Sequence, residues 1–563
     1  MPVDVVARKP NRLQALLWLV LLIVFLILSL RRHHANQVGS WFDDAHYVTL
    51  ARSLLQSDQF GLINEPGDEP GDPWYPFAYP LLLAPFVAVL PGNLDALKLL
   101  SMTATAANAA LLFWGWPLFS PRSRWWGLGV TGLYLLSPTT LTLSQMVMSE
   151  AVFMTACLVA MLGAERAVQG RQGRWWSLFM GVVLTFALFA RTLGVALVLA
   201  VLVYLLIRKG RSFWRPLLQT LGVMIAATAL VLVLTPVQVS GLLPLRYLHQ
   251  EDAAFIVSLG GLLPAVDTGE LPSAIYLEEE TSTGGKQLDA NKFFGRLLPK
   301  LRQNLLLDYR NAVVPAGGGA SEQALVERLG FPSLSLIAGA VVLALLALGS
   351  VRWLVRDGLS VMWVFALFHA AALLLWRWIG TRLLYPIQPQ LYLAFLLGLE
   401  GVLVWVGTLP KNRNVRRAVD AILVATVILM LLLSIGKGLT VADSRLRKGD
   451  LAQRTSWLRD HAAPDAILMS EAPIQDYLYG GNKTVPHPRS VASAQELDRY
   501  MAERGVDYVL IAPDLAEDDS RRPTLSDLSK RLLPLLSALV SEGRAVVVYE
   551  SDEDLIQLFE VHP

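Results

Sequence analysis

Two adjacent acids, Asp43 and Asp44, lie in the stretch SWFDDAHYVTLARSLL (residues 40–55), directly after an apolar run long enough to cross a bilayer. A carboxylate held just outside a membrane can take the proton of an attacking hydroxyl. The same residues also have a simpler use. Ser40 is a good helix N-cap, Asp43 then falls where a capping box places its acid, and acids in a first turn complement the helix dipole. Helical spacing puts Asp43, His46 and Tyr47 on one face, so a carboxylate, an imidazole and a phenol would be presented together, with Val48, Ala51 and Leu55 aligned behind Asp44.

Three other stretches place charge beside apolar sequence. Glu150 opens an apolar run in SQMVMSEAVF, after Ser144, Gln145 and Ser149. Arg191 interrupts a long apolar stretch in LFARTLGVAL, where an arginine costs about 2.5–3.5 kcal/mol on insertion scales. Arg377, Arg382 and Tyr385 share WRWIGTRLLYPIQP, and arginine forks with a tyrosine hydroxyl suit phosphate oxygens. Each has an ordinary alternative. A span-end glutamate can serve the dipole, a membrane arginine can pair with a buried acid, and arginine with aromatics can anchor at the interface. Together, acids for proton abstraction and cations for a phosphate are what sugar transfer from a lipid phosphate needs.

These groups have to be positioned by membrane helices. The chain has 563 residues, of which 54% are hydrophobic and only 17% charged, with a formal net charge of +2. A soluble domain would carry about 25% charged residues. The single cysteine, Cys157, excludes an internal disulfide framework and any multi-cysteine metal site. No small-residue cleavage site follows the first apolar run, which reads as a retained span. At about 20 apolar residues per crossing, spans are expected near 14–30, 97–118, 126–143, 147–164, 175–190, 192–207, 217–238, 332–351, 359–376, 386–407 and 417–435, about eleven in all. The stretch PFAYPLLLAPFVAVLPG (76–92) is short and broken by proline, and is expected to lie at the interface or re-enter.

With 76–92 not crossing, the basic stretches SPRSRWW, ERAVQGRQGRWW, RKGRSFWR, RWLVRD and KNRNVRR all fall on one side with the Arg8, Lys9 and Arg12 terminus. The positive-inside rule makes that side cytoplasmic. The outer side then receives the loop 31–96, the turn around Glu150, a long loop 239–330, the turn at 377–386 and the tail. The stretch EEETSTGG (278–285) reads as a flexible surface turn. The tail, residues 440–563, alternates amphipathic helices with short β-branched runs, so a small soluble α/β domain is expected there beside the all-α membrane part (1–439). It shows no glycine-rich phosphate loop, and His461 and His487 are expected to face solvent. Asn482-Lys483-Thr484 is a possible glycosylation sequon.

The stretch FDDAHYVTLARSLL resembles the acid-pair signature of the C-type (GT-C), multi-span glycosyltransferases, and is most similar to bacterial aminoarabinose transferases and protein O-mannosyltransferases. WYPFAYPLLLAPF resembles their proline-rich segment after the first loop, MSEAVF their second acidic motif, and TRLLYPIQPQL their late Arg…Tyr-Pro…Pro motif. The motifs occur in family order across residues 10–435, and GVDYVLIAP resembles outer domains appended to bacterial members. The resemblance implies Asp43 as the base, with the choice between Asp43 and Asp44 open, Glu150 as the second acid, and Arg191 and Arg382 as lipid-phosphate contacts. It brings His46, Tyr47, Arg52, Arg377 and Tyr385 to the substrate side. The chain departs from the aminoarabinose transferases in two places. Pro73 and Trp74 stand where those enzymes have a glutamate metal ligand and a lysine, and His46 stands where an arginine follows their acid pair. No cofactor is certain, and a divalent metal ion is left open.

The partners implied are a polyprenyl-phosphate-linked sugar donor, membrane lipids, and a glycan, lipid or protein acceptor, with no nucleic acid. The donor leaves as a phosphate monoester and needs no general acid, whereas the acceptor hydroxyl must lose its proton as it attacks. One-step attack from the opposite face inverts the anomeric centre. The expected setting is a bacterial inner membrane with the N-terminus cytoplasmic and the tail periplasmic. A transporter or flippase of a lipid-linked sugar is the rival, since intramembrane charges also line substrate paths, but no internal repeat is evident and the charges sit at one surface.

Overall fold

The computed structural model describes residues 10–34, 37–73, 75–170, 173, 175–237, 308–314, 333–375, 380–406, 413–445, 451–488, 490–513, 525–551 and 555–562. Most of the expected outer loop 239–330, including 278–285, lies outside these residues, as do Arg8, Lys9 and Arg377.

Helix α1 (Arg12–Arg31) opens on a capping box in which the Gln14 amide donates to Asn11 Oδ1 at 2.8 Å. After it comes α2 (Asp43–Gln56), which is short and amphipathic. Then α3 (Ala78–Val89) has 12 residues and an internal Pro85. At 1.5 Å per residue that is roughly 18 Å, far short of the hydrocarbon core, so 76–92 is too short to cross. The bundle continues with α4 (Leu94–Phe119), then α5 (Arg124–Leu136) and α6 (Pro138–Leu143). The single span expected at 126–143 breaks at Ser137, because Pro138 starts a new helix whose Thr140 amide is capped by Ser137 Oγ at 3.0 Å. There follow α7 (Ser149–Val168), α8 (Trp176–Ala190), α9 (Gly194–Lys209), α10 (Trp214–Leu234), α11 (Tyr309–Val313), α12 (Ser333–Arg356) and α13 (Val361–Leu375). A 3-10 helix (Thr381–Ile387) runs straight into α14 (Gln388–Val406), and α15 (Arg413–Arg445) closes the bundle.

Among the described residues, 7 helices are long and apolar enough to cross a membrane: α1, α4, α7, α10, α12, α14 with its 3-10 lead, and α15. The expectation of about eleven crossings is not met by length alone. Helices α8, α9 and α13 have 15, 16 and 15 residues, although they occupy the expected positions.

Contacts identify the two ends of the bundle. At one end the Arg122 guanidinium pairs with Asp357 at 2.8 Å and lies 3.4 Å from Glu400, so the α4–α5, α12–α13 and late α14 positions lie together. These are the ends bordered by the basic stretches. The Ser144 turn, the starts of α7 and α9 and the 3-10 helix gather at the other end, with α2 across them.

The tail folds as a five-stranded sheet in the order β2-β1-β3-β5-β4. Helix α15 runs through the boundary expected at 440, to Arg445. Short helices α16 (Leu451–Arg454) and α17 (Ser456–His461) lead into β1 (Ile467–Ser470). Then come α18 (Pro473–Gly480), β2 (Lys483–Pro486), α19 (Ala494–Glu503), β3 (Tyr508–Ile511), α20 (Asp527–Ser541), β4 (Ala545–Ser551) and β5 (Ile556–Val561). Strands β1 to β3 are parallel, and β5 runs antiparallel to both β3 and β4. His461 is exposed and stacks on Trp457. His487 corrects the expectation: it is buried among β1 and β2, and desolvation lowers its pKa to about 3. Asn482 is also buried, donating to the Ala463 carbonyl at 2.9 Å, so the folded sequon offers no free amide.

Candidate active site

The acid pair does not sit in a capping box. Helix α2 takes Phe42 as its N-cap residue, with no side-chain cap bond, and Ser40 Oγ donates instead to the Gln37 carbonyl at 2.7 Å. Phe42 is held at φ +59°, ψ −60°, a region that a bulky L-residue rarely adopts. Tight turns set this up: the Phe42 amide donates to Gly39 O at 3.2 Å and the Asp43 amide to Trp41 O at 2.6 Å. Asp43 is thereby free of capping duty and points across the end of the bundle opposite the Arg122–Asp357 network.

There Asp43 meets two groups. Tyr75 donates its hydroxyl to Asp43 Oδ1 at 2.5 Å, and Arg382 Nη2 lies 2.6 Å from Asp43 Oδ2. His46 and Tyr47 pack their rings on Tyr75, at 5.3 and 4.8 Å between centroids. His46 donates from Nδ1 to the Phe42 carbonyl at 2.9 Å, and burial lowers its pKa. Asp44 turns inward and is 1% exposed, with Oδ1 accepting from the Ala45 amide at 3.0 Å. Burial, reinforced by the charge on Asp43, raises Asp44 to about 7 against the pull of backbone N–H groups of Gly39, Ala45 and Trp41.

The second acid is a neighbour of the first. Glu150, at the start of α7 and 1% exposed, pairs with Arg191 Nη1 at 2.7 Å. Ser149 ties this pair to α2, since its Oγ bonds the Tyr47 hydroxyl at 2.9 Å and accepts from Arg191 at 3.2 Å. Arg191 is the extended residue that ends α8, so the apolar stretch it interrupts is two short helices with the arginine at their junction. The buried-acid alternative for Arg191 is thus the arrangement that the structure shows.

Tyr385 is fully buried behind Arg382, its hydroxyl 2.6 Å from that of Tyr134. Asn108 donates both to Tyr134 Oη and to the Ala151 carbonyl, at 3.1 and 2.9 Å, which fastens the 3-10 helix to α4, α5 and the first turn of α7. Tyr385 therefore positions the segment that carries Arg382. Arg52 is not part of the cluster: it lies toward Tyr477 of the tail, and burial lowers its pKa. Arg377 lies outside the described residues.

Tyr75 and Ser149 were not read as site residues from sequence. Tyr75 is one tyrosine in a proline-rich segment, and only the return of that segment over α2 puts it on Asp43. Among the described residues no group of three or more histidine, cysteine or acidic side chains could hold a metal ion.

Comparison with known proteins places this geometry in a fold. A family model described as dolichyl-phosphate-mannose-protein mannosyltransferase matches residues 89–253. No curated protein sequence matches the chain. Among solved structures, ArnT from Cupriavidus metallidurans bound to undecaprenyl phosphate aligns with a TM-score of 0.52 at 12% identity, covering 97% of each chain. The arabinofuranosyltransferase AftD from Mycobacteria aligns at 0.50 and 14% identity, covering 99% of this chain and 40% of its own. The chain thus shares its fold with ArnT and AftD, the kind of fold that the motif-based resemblance implies.

Proposed function

We propose that this protein is a membrane glycosyltransferase that moves a sugar from a polyprenyl-phosphate donor to an acceptor hydroxyl at the outer membrane face, with inversion and with Asp43 as general base. The observation that carries this reading is the convergence of two carboxylates and two arginines, Asp43 with Arg382 and Glu150 with Arg191, at one end of the bundle. The fold shared with ArnT, whose structure holds undecaprenyl phosphate, supports the donor class.

Each arginine of the cluster is held by an acid. A donor phosphate entering between them competes for Arg382 and Arg191, and an arginine fork can share its donors between two oxyanions. As Arg382 turns toward phosphate, Asp43 Oδ2 is released to receive the acceptor proton, while Tyr75 keeps Oδ1 in place. The acceptor oxygen bonds to the anomeric carbon as the bond from that carbon to the phosphate oxygen breaks. The electron pair leaves with the phosphate, and the added negative charge falls on the two guanidinium groups. Glu150 stays with Arg191 as its counter-ion.

Asp43→Asn tests the base. Asparagine keeps the shape and a bond to Tyr75, so undecaprenyl phosphate binding and folding are retained, while release of free polyprenyl phosphate in sealed vesicles falls by about 10²–10⁴-fold. Turnover near the unmodified level would remove Asp43 from the chemistry.

A further inference from the structure

The tail holds both flanks of α2, the helix that begins with the acid pair. Ahead of the helix, the Leu451 amide donates to Gln37 Oε1 at 2.7 Å and the Tyr479 hydroxyl to the Val38 carbonyl at 2.8 Å. The Gln475 amide reaches the Gly39 carbonyl at 3.5 Å. Beyond the helix, Lys483 Nζ donates to the Ile63 carbonyl at 2.6 Å and the Thr484 amide to the Asn64 carbonyl at 2.7 Å. The space is closed at Gly39, where φ is +104° and a Cβ would stand 3.2 Å from both Gln475 Cγ and Leu451 Cδ1.

The holding surface is itself braced. Arg454 and Asp476 form a two-point pair at 2.9 and 3.0 Å, with side chains 6% and 0% exposed, joining α16 to α18, the helix that carries Gln475 and Tyr479. The gripped residues need holding. The turn Gly39–Phe42 has a strained phenylalanine and no side-chain cap at the start of α2, so the direction of Asp43 depends on how this turn is held.

We infer that the C-terminal α/β unit is a clamp that positions the acid-bearing segment, with Tyr479, Gln475 and Lys483 as positioning residues acting through the backbone at 38, 39 and 63. This rests on the transferase reading for its catalytic consequence, but the mechanical claim stands by itself. The clamp residues touch no substrate. They hold a strained turn in the one shape that aims Asp43 at Tyr75 and Arg382.

The test uses full-length protein carrying Tyr479→Phe with Lys483→Met. Amide exchange in residues 38–47 should speed up at least ten-fold while exchange in β1 is unchanged. Undecaprenyl phosphate should titrate with a Kd no weaker than the parent's, because its arginines stand on other elements and Asp43 competes less for Arg382. Release of polyprenyl phosphate from a lipid-linked-sugar extract should fall at least ten-fold, since small misplacements of a reacting group are costly. Lys483→Arg, which keeps a donor, should restore most of the protection. If the double variant does not fold, Gly39→Ala strains the same contact from the membrane side and should give the same pattern. Unchanged exchange at 38–47 overturns the clamp, and faster exchange with full turnover overturns its catalytic role. If the unmodified protein releases no polyprenyl phosphate, the transferase reading fails, and exchange alone still decides whether the tail grips α2.

Discussion

At the scale of single residues, the acid–arginine cluster is a set of charges balanced in pairs, and the pairing fixes what truncation should do. Glu150 is 1% exposed and its guanidinium partner 14% exposed, so Arg191→Ala strands a buried carboxylate. A loss of about 3–5 kcal/mol is expected in lipid-free protein, and changing both partners at once to Gln and Met should recover much of it. Thermal melts decide this, and a single variant as stable as the parent would mean that the pair is not formed. Asp44 gives a second handle. Burial raises it from its ordinary 3.8 to about 7. The folded chain therefore holds this proton more tightly than the unfolded chain, so stability falls as pH climbs from about 4 to about 7 and levels off above that. Asp44→Asn should flatten that part of the pH–stability curve, and a curve of unaltered slope would contradict burial of the acid. The residue types at the site were legible in sequence, because acids and arginines beside apolar runs are costly and therefore informative. Their partners were not: Asp43 to Arg382 and to Tyr75 are contacts between distant segments, and no local spacing encodes them.

The elements carry those residues by close helix contact. Helices α12 and α14 meet through two glycines: a Cβ on Gly349 would stand 1.7 Å from the Ala394 carbonyl oxygen, and one on Gly398 would stand 2.0 Å from that of Leu345. Backbones can approach so closely only where side chains are absent, as in other small-residue contacts between membrane helices. Gly398→Leu should push α14 off α12 and shift the 3-10 helix that leads into it, which holds Arg382 and Tyr385. A stability loss of about 1–3 kcal/mol from overpacking is expected, together with weaker binding of undecaprenyl phosphate. If Gly398→Leu binds the lipid and melts like the parent, the two helices do not pack through these positions. Most helices were legible from apolar length, and so was the break at Arg191, which ends α8 in extended backbone between the spans expected at 175–190 and 192–207. The break at Ser137–Pro138 was not, because it divides a run that composition leaves continuous. The local capping signal at Ser40 misled for a related reason: it competes with a tail that grips Val38 and Gly39 and draws the chain into the turn at Phe42.

For the whole molecule, the arrangement couples position in the membrane to chemistry. The Arg122, Asp357 and Glu400 network marks the end of the bundle bordered by basic stretches, while the acid pair, the paired arginines and the tail share the opposite end. The positive-inside rule predicts a cytoplasmic network end, an expectation that labelling can test. The sheet of the tail was legible as alternating helices and β-branched runs, but its seat on residues 37–64 was not, because docking depends on main-chain carbonyls that carry no sequence signal. The docking nevertheless turns orientation into a single question, since tail and site must lie on one side. Cys157 is buried, so it can be replaced by Ala to give a cysteine-free background. One cysteine is then introduced at Ser123, in the α4–α5 turn, and another separately at Glu503, at the exposed end of α19. A membrane-impermeant maleimide applied to intact cells should label Glu503→Cys and not Ser123→Cys, and lysis should make both reactive. The reverse pattern would place the acid pair in the cytoplasm, where nucleotide sugars are at hand, and would remove the reason for a lipid-linked donor. Labelling of both in intact cells would mean that an odd number of the segments between them does not cross, which the short helices α8 and α9 make the first place to look.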